Sequence, residues 1–396
     1  MAPTPTPPRS IHTTDSGRLQ RRQPKLIKRC AVVVLVLLVL FRSILWTAKG
    51  PIKLEAAATS TSTNTKAHSS TGSGDDSRTS AELLAPPTEM PTVSTALPDP
   101  YIPPSLPIKT LVVLIGNLRC GELAWASLYR NLVDWNNHHH QNQNSTVSIP
   151  HSVHLALAIG NDVESVYKNA TLFQRAKHVF SFPEFGEDWS SALDQIDPSW
   201  KVKVAPLLSN FSIVLGGVRH RNWHGSGAIS FWIRWFLSQK LLEHDSISRY
   251  DRFVITRTDH FYMCPLDLSV LDPRYLWVPF GQDFGGITDR HLIVSSRDVL
   301  AALNILPGLF QDPSLYPLLG SDQYNPEQLL WDRWKQEGLV GKVRRFPRMM
   351  FTCGNPDVDD KTRWKATGDI VMEGVRKKYR KEYIQSEDTC KGGNHY

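Results

Sequence analysis

The first hundred residues of this 396-residue chain largely lack the side chains from which a hydrophobic core is built. Between residues 49 and 107, Tyr101 is the only aromatic residue, whereas 18 residues are Ser or Thr and nine are Pro. So little apolar surface cannot offset the conformational entropy lost on folding, which excludes a folded domain in this stretch. Its composition is typical of a disordered, O-glycosylated stem. Residues 1–29, rich in Pro and Thr and then basic, are predicted to form a disordered cytoplasmic tail.

Aromatic residues are also scarce in the two basic runs of the chain, at residues 18–29 and 376–381, which together contain only Tyr379. A groove for nucleic acid interleaves basic with aromatic side chains, so no nucleic-acid partner is expected. The first predicted strand, residues 110–115, is followed neither by a complete dinucleotide fingerprint nor by a phosphate loop ending in Lys-Ser/Thr. The common glycine signatures of nucleotide sites are therefore absent.

One long apolar run interrupts the polar N-terminal region. Residues 30–48 form a 19-residue segment, close to the roughly 20 residues that cross a bilayer. Basic residues precede it, which predicts a cytoplasmic N-terminus and a lumenal or extracellular C-terminal domain. A cleaved signal peptide would have a shorter polar region before its apolar core, and a buried helix would not be followed by a disordered stretch. We therefore predict a single-pass signal anchor, through which the protein contacts the membrane.

Residues 108–396 carry the apolar patterns of a folded α/β domain. The unbroken β-branched run at 110–115 predicts a buried strand, a glycine-bounded turn follows, and a helix begins at Glu122. Strand, glycine turn and helix form the first unit of a nucleotide-binding α/β sheet. Residues 228–242 are apolar almost all round and predict a buried core helix. Further strands are predicted at residues 154–159, 211–215, 253–256, 292–296 and 343–350.

Cysteines and glycosylation sequons agree with an oxidising compartment. Besides Cys30 in the predicted span, the chain has an even set of four cysteines, at positions 120, 264, 353 and 390. One or two disulfides are expected, but their pairing cannot be read from the sequence. Three Asn-x-Ser/Thr sequons, at Asn144, Asn169 and Asn210, all follow the predicted span.

Charged side chains follow the predicted strand at residues 253–256 directly. Arg257, Asp259 and His260 come straight after its end. Because ligands of open α/β sheets collect where strands end, these groups are placed for an anionic ligand or a metal ion. The alternative is that Arg257 and Asp259 form a structural ion pair.

A series of motifs extends this pattern to a family. The strand that ends in Ile-Thr-Arg-Thr-Asp-His is followed by Trp-Val-Pro, Gly-Gly-Ile-Thr-Asp-Arg and Asn-Pro-Glu-Gln-Leu-Leu, the last at residues 325–330. In this order they resemble polysaccharide-type nucleotide-sugar transferases of the GT-A fold that carry an Arg-Ser/Thr-Asp motif, including uncharacterised algal and protist proteins. The resemblance covers roughly residues 108–350. The layout of tail, span, stem and domain is similar to that of type II Golgi glycosyltransferases. The resemblance implies a GT-A-like mixed sheet flanked by helices.

The same resemblance assigns a diphosphate site. In the GT-A fold an Asp-x-Asp motif at a strand end usually binds a divalent metal ion, Mn²⁺ or Mg²⁺, which holds the nucleotide diphosphate. Asp259 is similar in position to this motif, but Arg257 stands where its first Asp would be. Two alternatives stay open: Asp259 binds metal alone or with His260, or Arg257 supplies charge to the diphosphate directly. Gly116, Asn117 and Arg119 in the first turn would contact the nucleotide.

Acidic residues further along the chain are candidates for the catalytic base. Asp289 resembles the acidic residue of the acceptor region in this fold, where a carboxylate binds or deprotonates a sugar hydroxyl. Arg290 would pair with Asp289 or with phosphate. Glu327 is a second candidate base, and its alternative role is that of an acidic residue stabilised at a helix N-terminus.

These features predict a glycosyltransferase in the Golgi or ER membrane, with its catalytic domain in the lumen. It would move a sugar from a nucleotide-sugar donor to a glycan or glycoprotein acceptor. The first alternative is a non-catalytic, lectin-like or scaffold domain on the same fold. A second alternative is a hydrolase that uses Asp259 and Asp289 as a carboxylate pair. Arg257 beside Asp259 favours a phosphate-bearing donor over hydrolysis.

Overall fold

The computed structural model describes residues 108–138, 151–162, 167–354, 371 and 374–393. The predicted tail, span and stem and the sequon at Asn144 lie outside these ranges. Among the described residues, no helix has both the length and the apolar character needed to cross a membrane.

Within the described ranges, ten strands form two sheets. In chain order they are β1 (Ile108–Ile115), β2 (His151–Gly160), β3 (Ala176–Phe182), β4 (Arg252–Arg257), β5 (His260–Tyr262), β6 (Leu276–Pro279), β7 (His291–Ser295), β8 (Val343–Phe346), β9 (Met350–Gly354) and β10 (Arg376–Lys377). The larger sheet has seven strands in the order β3-β2-β1-β4-β7-β6-β8, and the smaller has the order β10-β9-β5. In the larger sheet β3, β2, β1 and β4 are parallel, as are β6 and β8, whereas β7 is antiparallel to both of its neighbours. The predicted α/β class with a mixed sheet is confirmed, and the sheet is mostly parallel.

Helices flank the large sheet on both faces. They are α1 (Glu122–Leu128), α2 (Asp134–His138), α3 (Thr171–Arg175), α4 (Ser190–Asp194), α5 (Trp200–Lys203), α6 (Gly227–Glu243), α7 (Ser246–Arg249), α8 (Val299–Leu303), α9 (Ile305–Gln311), α10 (Pro326–Gln336) and α11 (Arg380–Lys391). A π-helical turn, Tyr129–Val133, joins α1 to α2.

The hydrophobic core lies in two layers, one on each face of the sheet. Alternate residues of β1 enter different layers, so that Val113 packs with the layer that contains Trp232 of α6, and Val112 packs with the layer that contains Trp125 of α1. A strand covered on both faces is apolar at nearly every position, which explains the β-branched and apolar run at residues 110–115. The core helix predicted at residues 228–242 is α6, and most of its apolar residues are buried.

Two strand predictions are wrong. Residues 211–215 form turns, with Phe211 74% exposed, because the chain doubles back on itself: a Cβ at Gly216 would lie 2.1 Å from the carbonyl oxygen of His224. The predicted strand at 343–350 is two strands, β8 and β9, in different sheets. Pro347 stands between them, and without an N–H it cannot continue a ladder.

Two disulfides use all four of the expected cysteines. Cys120 in the first turn pairs with Cys353 of β9, and Cys264 after β5 pairs with Cys390 of α11, each with a Cα–Cα distance of 5.7 Å. Two disulfides are typical of the oxidising compartments of the secretory pathway.

Candidate functional site

The site lies at the carboxyl ends of β1 and β4, where the strand order reverses. Ile115 ends β1 opposite Arg257 of β4, and the loops that follow leave a crevice of the kind in which α/β sheets bind ligands. Thr258 joins the two loops: its N–H donates to the carbonyl oxygen of Ile115 at 3.2 Å and its hydroxyl donates to that of Asn117.

A cavity of about 630 Å³ fills this crevice, a size within the range of ligand sites. Charged side chains of both signs line it. The cations are Arg119, Arg219, Arg234, Arg257, Arg290 and Lys378, and the acids are Glu184, Glu187, Asp259, Asp289 and Glu327.

Arg257 and Asp259 form a bidentate ion pair in the wall of this cavity. Arg257 donates from Nε and Nη2 to the two carboxylate oxygens, each at 2.7 Å, and Asp259 is 2% exposed. Burial alone would raise the pKa of Asp259, but the charge and hydrogen bonds of Arg257 outweigh burial and hold that pKa well below its usual value. The structural ion pair is therefore present, and both of its members also face the cavity.

The predicted metal site at Asp259 and His260 is not formed by the described residues. Both oxygens of Asp259 accept from Arg257, and the imidazole of His260 lies outside the cavity, with Nδ1 2.9 Å from the hydroxyl of Thr256. Burial lowers the pKa of His260 to about 3. Within the described ranges, no group of three or more His, Cys, Asp or Glu residues could hold a metal ion. The residues present do not fit a resident divalent metal ion.

Asp289 is held by two residues of α6, one helical turn apart. Ser230 donates its hydroxyl to Oδ2 of Asp289 at 3.0 Å, and Nη1 of Arg234 lies 3.8 Å from the same oxygen. Arg234 also donates to the backbone carbonyl of Asp289 and to Ser230 Oγ. Burial opposes ionisation of Asp289, but Arg234 and Arg290 lower its pKa, so this carboxylate stays charged.

Glu327 faces the same cavity from the first turn of α10. Asn325 caps this helix, accepting from the N–H of Gln328 at 2.9 Å, while Gln328 accepts from the N–H of Asn325 at 3.0 Å. Burial, and then the negative charge of Asp289, raise the pKa of Glu327 to about 7. The site thus holds two carboxylates whose surroundings move their pKa values in opposite directions.

Gly286 sets the position of Glu327. The N–H of Ile287 donates to the carbonyl oxygen of Glu327 at 3.1 Å, and a Cβ at Gly286 would lie 2.0 Å from that oxygen. Gly286→Ala should therefore push the first turn of α10 outward, lower the free energy of unfolding by roughly 1–3 kcal/mol and weaken whatever activity depends on Glu327. Thermal unfolding measures the first effect. Gly341→Ala is the matched control, because a Cβ there meets nothing within 4 Å; equal losses in both variants would contradict this packing argument.

The segment before α11 completes the wall. Lys378 and Tyr379 line the cavity, and the Tyr379 ring lies 4.2 Å from the guanidinium carbon of Arg290. Arg290 pairs with buried Glu382 of α11, which also accepts from Arg348 at 3.5 Å and from the N–H of Thr352 at 2.8 Å. Burial, and then Arg257, lower the pKa of Lys378 to about 8. The Cys264–Cys390 disulfide fixes the far end of α11.

Four apolar side chains also line the cavity: Phe182, Trp189, Ile229 and Ile233. The ring of Trp189 packs edge-on against Trp232, with centroids 5.6 Å apart. Aromatic and aliphatic groups beside a charged region suit a ligand with a ring at one end and negative charge at the other.

The structure brings together all but one of the predicted site residues. Those that line the cavity are Gly116, Asn117, Arg119, Arg257, Asp259, Asp289, Arg290 and Glu327, and the one that does not is His260. Ser230, Arg234, Lys378 and Tyr379 were missed by the sequence analysis. Arg234 carried a signal, since it is the one charge in the middle of an otherwise apolar helix, residues 228–238.

The chain matches no protein-family model and no curated protein.

Proposed function

We propose that this protein is a membrane-anchored glycosyltransferase that moves a sugar from a nucleotide-sugar donor to a glycan or glycoprotein acceptor. The observation that carries the proposal is one cavity, at the switch point of an α/β sheet, that combines clustered cations with an ionised and a basic carboxylate. The GT-A resemblance of the sequence supports it, and so does the mixed sheet.

The cationic side chains of the cavity are suited to the diphosphate leaving group of a nucleotide sugar. In transfer from a nucleotide sugar the bond between the anomeric carbon and the diphosphate breaks, and the diphosphate departs with added negative charge. Arg119, Arg257 and Lys378 line one part of the cavity and would stabilise this charge as it develops. The apolar lining residues, Trp189 among them, would contact a base or sugar ring.

The two carboxylates of the cavity are suited to bind and deprotonate the acceptor hydroxyl, which is the attacking group. Glu327, with its raised pKa, accepts the proton of an acceptor hydroxyl as the oxygen forms the new bond to the anomeric carbon. Asp289 stays ionised and hydrogen-bonds to a sugar hydroxyl, held in place by Ser230 and Arg234. Two acids with separated pKa values can therefore take different roles in one step.

The cellular setting follows from the two disulfides together with the predicted signal anchor. The anchor at residues 30–48 would fix the protein in the Golgi or ER membrane with type II topology. Asn169 and Asn210, the two sequons within the described residues, are exposed, as glycosylation in the lumen requires.

Donor turnover tests this proposal. The full chain, purified in detergent, is incubated with UDP- and GDP-sugars, and release of nucleoside diphosphate is measured with and without glycan acceptors. We expect turnover with at least one donor, reduced roughly 10²-fold or more by Asp289→Asn. Glycan binding without turnover, unaffected by Asp289→Asn, would favour the lectin-like alternative. Glycan cleavage that needs no nucleotide would favour the hydrolase, and absence of nucleotide binding and turnover would contradict the transferase.

A further inference from the structure

A strained loop between β6 and β7 presents an exposed aromatic side chain. Phe284 has φ = 46° and Gln282 has φ = 59°, both in the left-handed region that residues other than glycine rarely adopt. The side chain of Phe284 is 54% exposed. Single exposed apolar side chains are common, but here the exposure is combined with an unfavourable backbone conformation. Such strain persists only where the surrounding structure holds it, and it is concentrated at functional sites.

Hydrogen bonds hold this loop at Phe284 and at the residue before it. Oδ1 of Asp283 accepts from Nη1 of Arg345 at 2.7 Å and from the N–H of Thr288 at 3.0 Å. The carbonyl oxygen of Phe284 accepts from Nδ2 of Asn325 at 2.8 Å. The fold therefore fixes the backbone from which the exposed ring of Phe284 projects.

The same loop lies beside the two carboxylates of the cavity. Asn325, the hydrogen-bond partner of Phe284, caps α10 two residues before Glu327, and Asp289 follows Phe284 by five residues. The centroid of the Phe284 ring lies 5.8 Å from the guanidinium carbon of Arg290, whose side chain lines the cavity. Phe284 itself is not one of the lining residues, so its ring lies at the edge of the cavity.

We infer that Phe284 stacks against a sugar ring of the acceptor, and that the acceptor is therefore a carbohydrate chain rather than a serine or threonine of a protein. The C–H bonds on one face of a sugar ring carry partial positive charge and pack on the negative face of an aromatic ring. A sugar stacked there would direct its hydroxyls toward Asp289 and Glu327, the carboxylates of the proposed reaction. This inference rests on the proposed function and deepens it.

Glycan binding and acceptor kinetics test the inference on the full chain in detergent. The protein is applied to an array of immobilised oligosaccharides of hexoses, pentoses and N-acetylhexosamines, and the oligosaccharide that binds best is then the acceptor with UDP- and GDP-sugars. We expect Phe284→Asn to weaken this binding and to raise the KM for the oligosaccharide roughly 5- to 30-fold, since a stacking contact is lost. Phe284→Tyr, which keeps an aromatic ring, should restore most of the affinity.

Two further measurements separate stacking from a structural role of the ring. Asparagine tolerates the left-handed region better than phenylalanine does, so Phe284→Asn should have a Tm no lower than that of the wild type. Hydrolysis of the donor in water should change less than about threefold, because Phe284 does not line the cavity. Phe211→Ala is the matched control: it removes a phenyl ring that is 74% exposed and away from the cavity, and it should leave the KM unchanged.

The outcomes distinguish this inference from the proposed function. Donor turnover with an unchanged oligosaccharide KM in Phe284→Asn, or with transfer to protein hydroxyls alone, would overturn the inference and leave the transferase proposal intact. A marked fall in Tm would show that the ring is structural and would also overturn the inference. Oligosaccharide binding that depends on Phe284, without turnover of any donor, would overturn both the transferase and the role of the sugar as its acceptor. Absence of both binding and turnover would overturn both proposals as well.

Discussion

Glu327→Gln is expected to reduce donor turnover roughly 10²- to 10⁴-fold, the range over which a positioned general base contributes to catalysis. The substitution keeps the shape of the side chain and removes its proton affinity. The capping box of α10 uses Asn325 and Gln328, so the helix start should survive the change. Affinity for a nucleoside diphosphate should be little changed, because the cations that would bind it are on other elements.

The pH dependence of turnover identifies the base independently. Glu327 must be deprotonated to accept a proton, so turnover in the wild type should rise with pH and reach half its maximum near pH 7. A profile that is flat between pH 5.5 and about 8.5 would argue against this role. Glu337→Gln is the control, since Glu337 lies at the other end of α10, pairs with Arg333 and does not line the cavity. It should leave both turnover and its pH profile unchanged.

Glu327→Gln should also affect stability, and here the substitution is expected to be neutral or favourable although it lowers turnover. The folded state raises the pKa of Glu327 from its usual 4.5 to about 7, so it binds this proton more tightly than the unfolded state does. The resulting contribution to stability is fully present below about pH 4.5 and is lost as the pH rises through about 7. Glu327→Gln should therefore be at least as stable as the wild type at pH 8. A marked fall in Tm at pH 8 would indicate that lost turnover reflects damaged folding.

Glu382→Ala is expected to cause the largest loss of stability, roughly 3–5 kcal/mol. Glu382 is fully buried and pairs with Arg290 and Arg348, which are 8% and 1% exposed. Removing the carboxylate leaves two buried guanidinium groups without their charge partner and removes the acceptor of the Thr352 N–H. Thermal unfolding should show a Tm lower by roughly 6–20 °C.

The pH dependence of this loss has a definite sign. Burial opposes ionisation of Glu382, but Arg290 and Arg348 lower its pKa to about 2. Its contribution to stability is therefore present above its usual pKa of 4.5 and is lost as the pH falls through about 2. The gap in Tm between wild type and variant should be wide at pH 7 and narrow in strong acid. Glu387→Ala, which removes a partly exposed carboxylate of α11 paired with Lys391, should leave the Tm nearly unchanged, and a fall equal to that of Glu382→Ala would contradict the argument.

Much of the sheet and of the site could be predicted because β1 and β4 are covered on both faces. Such strands are apolar at nearly every position, so the ends of their apolar runs can be read from the sequence, and two polar residues that follow these runs, Asn117 and Arg257, line the cavity. The glycine turn after β1 could be predicted because it follows directly on the end of that apolar run.

The failures have physical causes. Residues 211–214 alternate exposed and buried side chains as a strand does, yet none of the described strands pairs with them. Asp259 lies in the turn after β4 and faces the cavity, whereas His260 begins β5 and its imidazole contacts the hydroxyl of Thr256 in the core. The turn between β4 and β5 separates the two side chains, and the sequence alone does not reveal that turn.

Lys378 could not have been assigned from its neighbours. It lies in a basic run of ordinary composition, and only tertiary pairing brings it to the site: β10 joins β9, and Glu382 and Cys390 hold α11 in place. Residues placed by such tertiary contacts leave no local pattern in the sequence.

The two disulfides also constrain the order of events during biosynthesis. Cys120 is made 233 residues before Cys353, and Cys264 is made 126 residues before Cys390. At a synthesis rate of about 5–20 residues per second, Cys120 waits roughly 10–50 s for its partner, long enough for an oxidising lumen to join it to Cys264 instead. Such a bond must be exchanged before Cys120 can pair with Cys353 of β9. The yield of correctly folded protein should therefore depend strongly on disulfide isomerase, even if the finished fold is stable.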